Sequence, residues 1–262
     1  MTLLLHELKR NKVSLIIWSS AISFMLAVCI LIYPEMAAEM QEVTDIFANM
    51  GSFSDAFGMG QINFGEFKGY LAIECGNVLG LGGAIFAAIL GVTALSKEER
   101  DRTAEMLLTH PISRYRIVTE KLLSVGLQIL ILNAVVATVT VLCVLIIGES
   151  ISAFTLFIVF LAYLLLQIEI ACISFGISAF LKGGGIGIGL GFAITSYFLN
   201  IIANLTKEAK FLKYITPFGY ADGSDIVSRN ALRPGYIAVG AVFTALAIAF
   251  SYYYYSKKDI AN

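Results

Sequence analysis

Residues 95–121 read LSKEERDRTAEMLLTHPISRYRIVTEK, the longest densely charged stretch in a chain that is otherwise mostly apolar. Glu98 and Glu99 are of the type that serves as acid, base or metal ligand, and Arg100, Arg102 and Glu105 are suited to pairing with a charged surface. Metal-assisted or acid–base chemistry would call for clustered nitrogen, sulfur or carboxylate ligands. The two histidines, His6 and His110, both lie outside the long apolar runs. Cys29, Cys75, Cys143 and Cys172 are scattered inside or at the start of such runs without CxxC spacing, and read as small core hydrophobes. No resident metal is expected. A phosphate-cradling GxxxxGK(S/T) loop is also missing: KGGGIGIGLG at 182–191 has its lysine before the glycines. The second group with chemical potential lies within the apolar runs, where polar side chains are costly and mark pathways or interhelical bonds. It comprises Glu74, Asn77, Gln167, Glu169 and Asn200, with Gln128 and Asn133 beside them. Glu169 is the sharpest candidate: protonated, paired, facing a translocation path, or simply hydrogen-bonded between helices.

The elements that must position these residues are membrane helices. Hydrophobic residues make up 58% of the 262, charged ones only 14%, and the mean hydropathy is +0.82; soluble chains carry about 25% charged residues. The net charge of -1 gives no electrostatic case for a nucleic-acid partner. About 20 apolar residues cross the roughly 30 Å hydrocarbon core as a helix. Six runs qualify, at 13–33, 70–95, 122–147, 151–181, 186–205 and 236–255. They are continuously apolar, without the alternation of a membrane barrel, so the expected fold is an all-α membrane protein. The first run is too long for a secretory signal and lacks a small-residue cleavage site.

Lys and Arg placement sets the expected orientation. With the amino terminus cytoplasmic, the inner segments hold Lys9, Arg10, Lys12, Lys97, Arg100, Arg102, Arg114, Arg116, Lys121, Lys182, Lys257 and Lys258, twelve of the 18 basic residues. An even number of spans puts both termini inside. Loop 206–235 opposes the rule with Lys207, Lys210, Lys213, Arg229 and Arg233. The amino-terminal LLLHELKRNK places Leu4, Leu5 and Leu8 on one face, suiting a short interfacial helix that contacts membrane lipid. In the last outer loop, Pro217, Gly219 and Gly223 mark turns and DIVSRNAL suits one or two helical turns.

Between the second and third runs, residues 98–110 carry good helix formers, acids in the first turns, and a stop imposed by Pro111. Thr103, Leu107 and His110 fall near one side, widened by Ala104, Met106 and Leu108. Such a helix either lies on lipid headgroups or docks on a partner. EERDRTAEMLLTHPISRYRIVTEKLL resembles the cytoplasmic loop between the second and third membrane helices of ABC-2 type transporter permeases, the class that includes type V ABC exporters. Glu98, Thr103, Glu105, Leu107, Leu108, Pro111, Ser113, Arg114 and Lys121 carry the resemblance, while Arg102 stands where many members have Gly. TPFGYAD at 216–222 is similar to the family's Pro-aromatic signature in a re-entrant outer segment.

The resemblance extends in outline over 1–262 as a single permease domain with six helices, both termini inside and an amino-terminal interfacial helix. It implies a coupling helix seated on a separate ABC ATPase subunit, with Glu98, Glu99, Arg100, Thr103, Glu105, Leu107, Leu108, Pro111, Ser113 and Arg114 forming or flanking it. It further implies two ATPase copies carrying ATP and Mg, none of it bound by this chain, and a second permease subunit in a homodimer or heterodimer. Export through a cell membrane, most simply a prokaryotic cytoplasmic membrane, would follow. Gly76/Gly80, Gly183/Gly187 and Gly187/Gly191 have small-xxx-small spacing, which serves packing within the subunit or contact between subunits.

Two other classes compete. The glutamate pair is similar to that of intramembrane CAAX-type proteases, but Thr103 stands where they want Arg and no histidine lies in a span. A stand-alone carrier or channel is the other alternative; carriers usually show internal repeats, and 1–120 and 121–262 show no clear one.

Overall fold

The structure, a computed structural model, describes residues 2–48, 66–101, 113–206 and 208–258. Its regular elements are all helical. Helix α1 is Thr2–Ala48, with Pro34 inside it. Helix α2 is Phe67–Arg100, interrupted by a π-helical stretch at Cys75–Leu81. Helices α3, α4 and α5 are Arg114–Ile147, Ala153–Ser178 and Ile186–Leu205. Two 3-10 turns, Glu208–Tyr214 and Pro217–Gly219, and the short α6, Gly223–Arg229, lead to α7, Pro234–Lys257. Six of these helices are long and apolar enough to cross a membrane: α1, α2, α3, α4, α5 and α7.

The helix starts and stops have local causes. Ser113 caps α3 by accepting from the Arg116 N–H, and α3 stops at Gly148, whose φ of 73 is left-handed. Asp222 caps α6, and Pro at the first turn of α7 costs no hydrogen bond there. Between α4 and α5 the chain turns through Gly183, Gly184 and Gly185, all at positive φ. Gly183 therefore serves a turn, and it does not stand in a packed helix face with Gly187.

Two expectations change in detail. The amino-terminal amphipathic segment is not a separate interfacial helix: it forms the first turns of α1 without a break. The physical reason lies in its buried polar face, because Glu7 is 5% exposed and is paired within the bundle. Helices α2 and α3 also run past the expected ends at 95 and 122, to Arg100 and back to Arg114. Their polar end residues are satisfied by neighbouring helices, so the helices need not stop where the apolar run does.

Helices α2 and α4 are the most buried, whereas α5 and α7 expose most of their apolar surface. Their close contact depends on missing side chains. A Cβ at Gly91 would strike the Ala171 carbonyl, and one at Gly83 the Gln167 amide. Both described chain ends lie at one end of the bundle: Leu3 and Leu4 N–H groups donate to Glu120, and Arg114 donates to the Lys258 carbonyl. This is called the charged end below. At the opposite end the segment between α5 and α7 folds back into the bundle. The Thr216 hydroxyl donates to the Ser196 carbonyl at 2.7 Å, and Ser196 lies about 14 Å back from Leu205 along α5, at about 1.5 Å per residue.

Candidate functional sites: the charged end and the re-entrant end

The charged end is organised around Lys121, 2% exposed, at the start of α3. Its Nζ donates to Glu7 Oε1 of α1 at 2.9 Å, to Glu98 Oε1 of α2 at 2.5 Å, and to the Ala94 carbonyl at 2.7 Å. All three ammonium donors are thus used, which is what a buried charge requires. Arg10 extends the cluster, reaching Asp101 at 2.5 Å and Glu98 at 3.7 Å. A hydrogen bond from Arg100, with the charges of Arg100, Arg10 and Lys97 behind it, holds the Asp101 carboxyl below its usual range. Lys258, just past α7, pairs with Glu99 Oε1 at 2.6 Å and donates to the Leu181 carbonyl. Arg114 donates to the carbonyls of Tyr255, Ser256 and Lys258.

Among the residues expected to meet an ATPase, Glu98, Glu99 and Arg114 therefore have their partners within the chain. Arg100 pairs with Asp101, and Ser113 is an N-cap. Thr103, Glu105, Leu107, Leu108 and Pro111 lie outside the described residues. The described residues flanking segment 102–112 are bonded to other helices, Asp101 to Arg10 of α1 and Arg114 to the end of α7.

The membrane-interior residues fall into three places. Gln167 is fully buried; its Oε1 accepts from Asn133 Nδ2 at 2.7 Å and its Nε2 donates to the Leu79 carbonyl at 3.4 Å. Leu79 lies in the π-helical stretch, where the altered register presents a carbonyl to a side-chain donor. Glu169 accepts from the Tyr220 hydroxyl at 2.8 Å. A Cβ on Gly240 of α7 would collide with the Glu169 carboxyl, so glycine there lets the last helix close over it. Glu169 lies about 24 Å along α4 from Ala153 at about 1.5 Å per residue, so Tyr220 carries the re-entrant segment deep into the bundle. Asn77 and Asn200 meet in a third place, the wall of a cavity of about 60 Å³ beside Tyr163 and Ser224. Glu74 is apart from all three, beside Cys29.

The glycine pairs divide as well. Gly76 and Gly80 face the Tyr163 ring, where a Cβ would come within 3.2 and 3.1 Å, so they serve packing within the chain. Gly187 and Gly191 have open space beside them. At the outer rim of the re-entrant segment, burial alone would raise the Asp225 carboxyl, but the hydrogen bond and charge of Arg233, with Arg229 beside it, hold it below the usual aspartate range.

Sequence reasoning did not single out Glu7, Arg10, Lys258 or Tyr163, because their partners lie far along the chain. Tyr220 had a signal, the TPFGYAD stretch, but nothing local tied it to Glu169. Lys121 was visible as a lysine opening a span, without its partners. The chain matches a family model described as ABC-2 family transporter protein over residues 1–260. No curated protein matches it.

Proposed function

The chain belongs to the ABC-2 transporter family, and we propose from that premise that it couples ATP hydrolysis on a separate ATPase to export across a cell membrane. The coarser part follows from membership: it is a multi-pass membrane permease of an ABC transporter, with an ABC ATPase as partner. The finer part is our reading. The charged end faces the cytoplasm, as the excess of Lys and Arg there favours. Two ATPase copies bind two permease subunits, each ATPase seating a coupling helix within 98–110, and ATP and Mg stay on the ATPases. The membrane is a prokaryotic cytoplasmic membrane.

The observation that carries this reading is the anchoring of the helix ends on either side of segment 102–112. Lys121 joins α1, α2 and α3, and the Glu99–Lys258 pair brings in the end of α7. A push on a segment held in this way moves several spans as one body, a recognised route for switching. The coupling contact is then divided between two sets of residues. Glu98, Glu99 and Arg114 hold the seat inside the permease, while Leu107 and Leu108 supply apolar contact to the ATPase. Rim charges at Arg100, Arg102 and Glu105 set register, each exposed pair contributing about 0 to 1 kcal/mol. The open side of Gly187 and Gly191 suits close approach of the second permease subunit.

The test is to look for a P-loop ATPase in an adjacent reading frame and to co-express it with this chain. The permease should co-purify with it and stimulate its ATP hydrolysis. Leu107→Asp and Leu108→Asp should abolish that stimulation and the transport that depends on it while membrane levels stay normal. Wild-type transport by both variants would overturn the assignment of the docking face.

A further inference from the structure

The cavity at the re-entrant end belongs to a single chain and has a definite chemical bias. Its walls come from the π-helical stretch of α2, from α4, from α5 and from the re-entrant segment. At about 60 Å³ it has room for about four water-sized groups. Three oxygen acceptors stand on the wall. The Asn200 Oδ1 is buried and has no hydrogen-bond partner among the described residues. The buried Tyr163 hydroxyl donates to the Ala72 carbonyl at 3.4 Å, which leaves its own lone pairs free to accept. Cβ atoms at Gly76 and Gly223 would come within 3.2 and 3.1 Å of that hydroxyl oxygen, so a side chain at either position would crowd it.

Asp222 supplies the third acceptor. Its Oδ1 is taken up by the Ser224 N–H at 3.1 Å, the Ser224 hydroxyl at 2.6 Å and the Asp225 N–H at 3.5 Å. Its Oδ2 has Lys213 Nζ at 3.5 Å, the outer limit of a hydrogen bond. Among the described residues, no lysine or arginine lines the cavity itself. Two rings complete the wall, Tyr197 and Phe218, packed edge to face with centroids 5.4 Å apart.

We propose that this cavity is a binding site for a primary ammonium group. Three N–H donors match three oxygen acceptors, one of them a carboxylate, and the rings of Tyr197 and Phe218 on the wall favour a cation over an anion. An anion would meet the Asp222 carboxylate, with amide N–H groups and no cation among the described lining residues. Lys213 is a tethered ammonium already placed at the edge of this site, so it competes with a free one. The ammonium has two possible sources, the headgroup of an ethanolamine lipid or a free amine. The site is defined by one chain and stands apart from any coupling to ATP.

The test uses the full chain purified in a neutral maltoside detergent, with helix unfolding followed by circular dichroism. Ethylammonium chloride should raise Tm saturably, whereas sodium chloride at equal ionic strength and ethanol at equal concentration should not. Asn200→Leu should weaken binding about tenfold or more, the usual scale for one buried hydrogen bond to a charge. Asn200→Asp should tighten it, which keeps the test decisive if the leucine variant folds poorly. Lys213→Ala should also tighten it, by removing the competitor. Nanodiscs then separate the sources. Retention of phosphatidylethanolamine over phosphatidylcholine in native mass spectrometry, displaced by ethylammonium, identifies the lipid; ethylammonium binding without lipid preference identifies a free amine. Equal stabilisation by ethanol, no stabilisation by either, or unchanged binding in both Asn200→Asp and Lys213→Ala would overturn the proposal.

Discussion

The two ends of this bundle are built from opposite materials. At the charged end the joints are ion pairs with full charges: Lys121 with Glu7 and Glu98, Lys258 with Glu99, and Arg10 with Asp101. At the re-entrant end the deep joints are mostly single hydrogen bonds, Thr216 to Ser196 and Tyr220 to Glu169, with Gly240 and Gly223 set close against neighbouring helices. Buried charges are costly to separate, because each partner left behind remains desolvated. A single hydrogen bond contributes about 0.5 to 1.5 kcal/mol net and can be exchanged for one to water. The charged end is thus suited to moving as one piece, and the re-entrant end to opening piece by piece.

The largest expected effect comes from breaking the charged end. Lys121→Met should lower stability by about 3 to 5 kcal/mol, since it strands Glu7 and Glu98 in the interior; thermal unfolding in detergent measures it. Adding Glu98→Gln and Glu7→Gln should restore much of the loss, because an apolar and neutral replacement of a whole buried ion cluster is often tolerated. If the single variant unfolds like the wild type, the rigid-seat contrast fails.

The re-entrant end should respond in function more than in stability. Tyr220→Phe deletes the donor to Glu169 at a cost of about 1 to 3 kcal/mol, and Glu169→Gln keeps a side chain of the same shape without the charge. Both should change transport or substrate range while leaving stimulation of the partner's ATPase near the wild-type level. Loss of ATPase stimulation with unchanged transport selectivity would reverse the division of labour between the two ends.

The smallest effect lies at the rim. Asp225 is held by Arg233 and Arg229 below its usual range. Its pairing therefore stabilises the re-entrant segment above the ordinary aspartate pKa of about 3.9 and is lost as pH falls from there through the lower folded value. Asp225→Asn should remove that acid-side dependence and cost about 1 kcal/mol at neutral pH. Hydrogen exchange of residues 223–229 between about pH 3 and pH 6 would show it; an unchanged profile in the variant would assign the acid response to other groups.

Much of this contrast could be read along the chain, and the reasons are local. A continuous apolar run declares a span wherever it reaches about 20 residues, so all six helices were evident. The proline, glycine and aromatic run at 216–222 declared a turn, and the polar residues within spans stood out by their cost. Pairings were not evident. Glu7 and Lys121 are separated by most of two helices, and nothing near Glu7 distinguishes a buried glutamate from a solvated one. Glu98 and Arg114 stood out only through the family motif, and nothing in that motif told that Glu98 pairs with Lys121 or that Arg114 donates to carbonyls at the end of α7. The glycine spacings were equally ambiguous, since Gly76 and Gly80 face Tyr163 while Gly187 and Gly191 have nothing within 4 Å among the described residues.

Taken by itself, the sequence determined the number of membrane helices and the position of the charged segment between the second and third. Each of these depends on residues close together along the chain. Tertiary structure alone decided that Lys121 binds Glu7 and Glu98, that a π-helical stretch turns the Leu79 carbonyl toward Gln167, and that Tyr220 reaches Glu169. Those contacts join residues brought together only when helices pack, and packing is set by the sum of many small fits across faces that no single stretch of sequence contains.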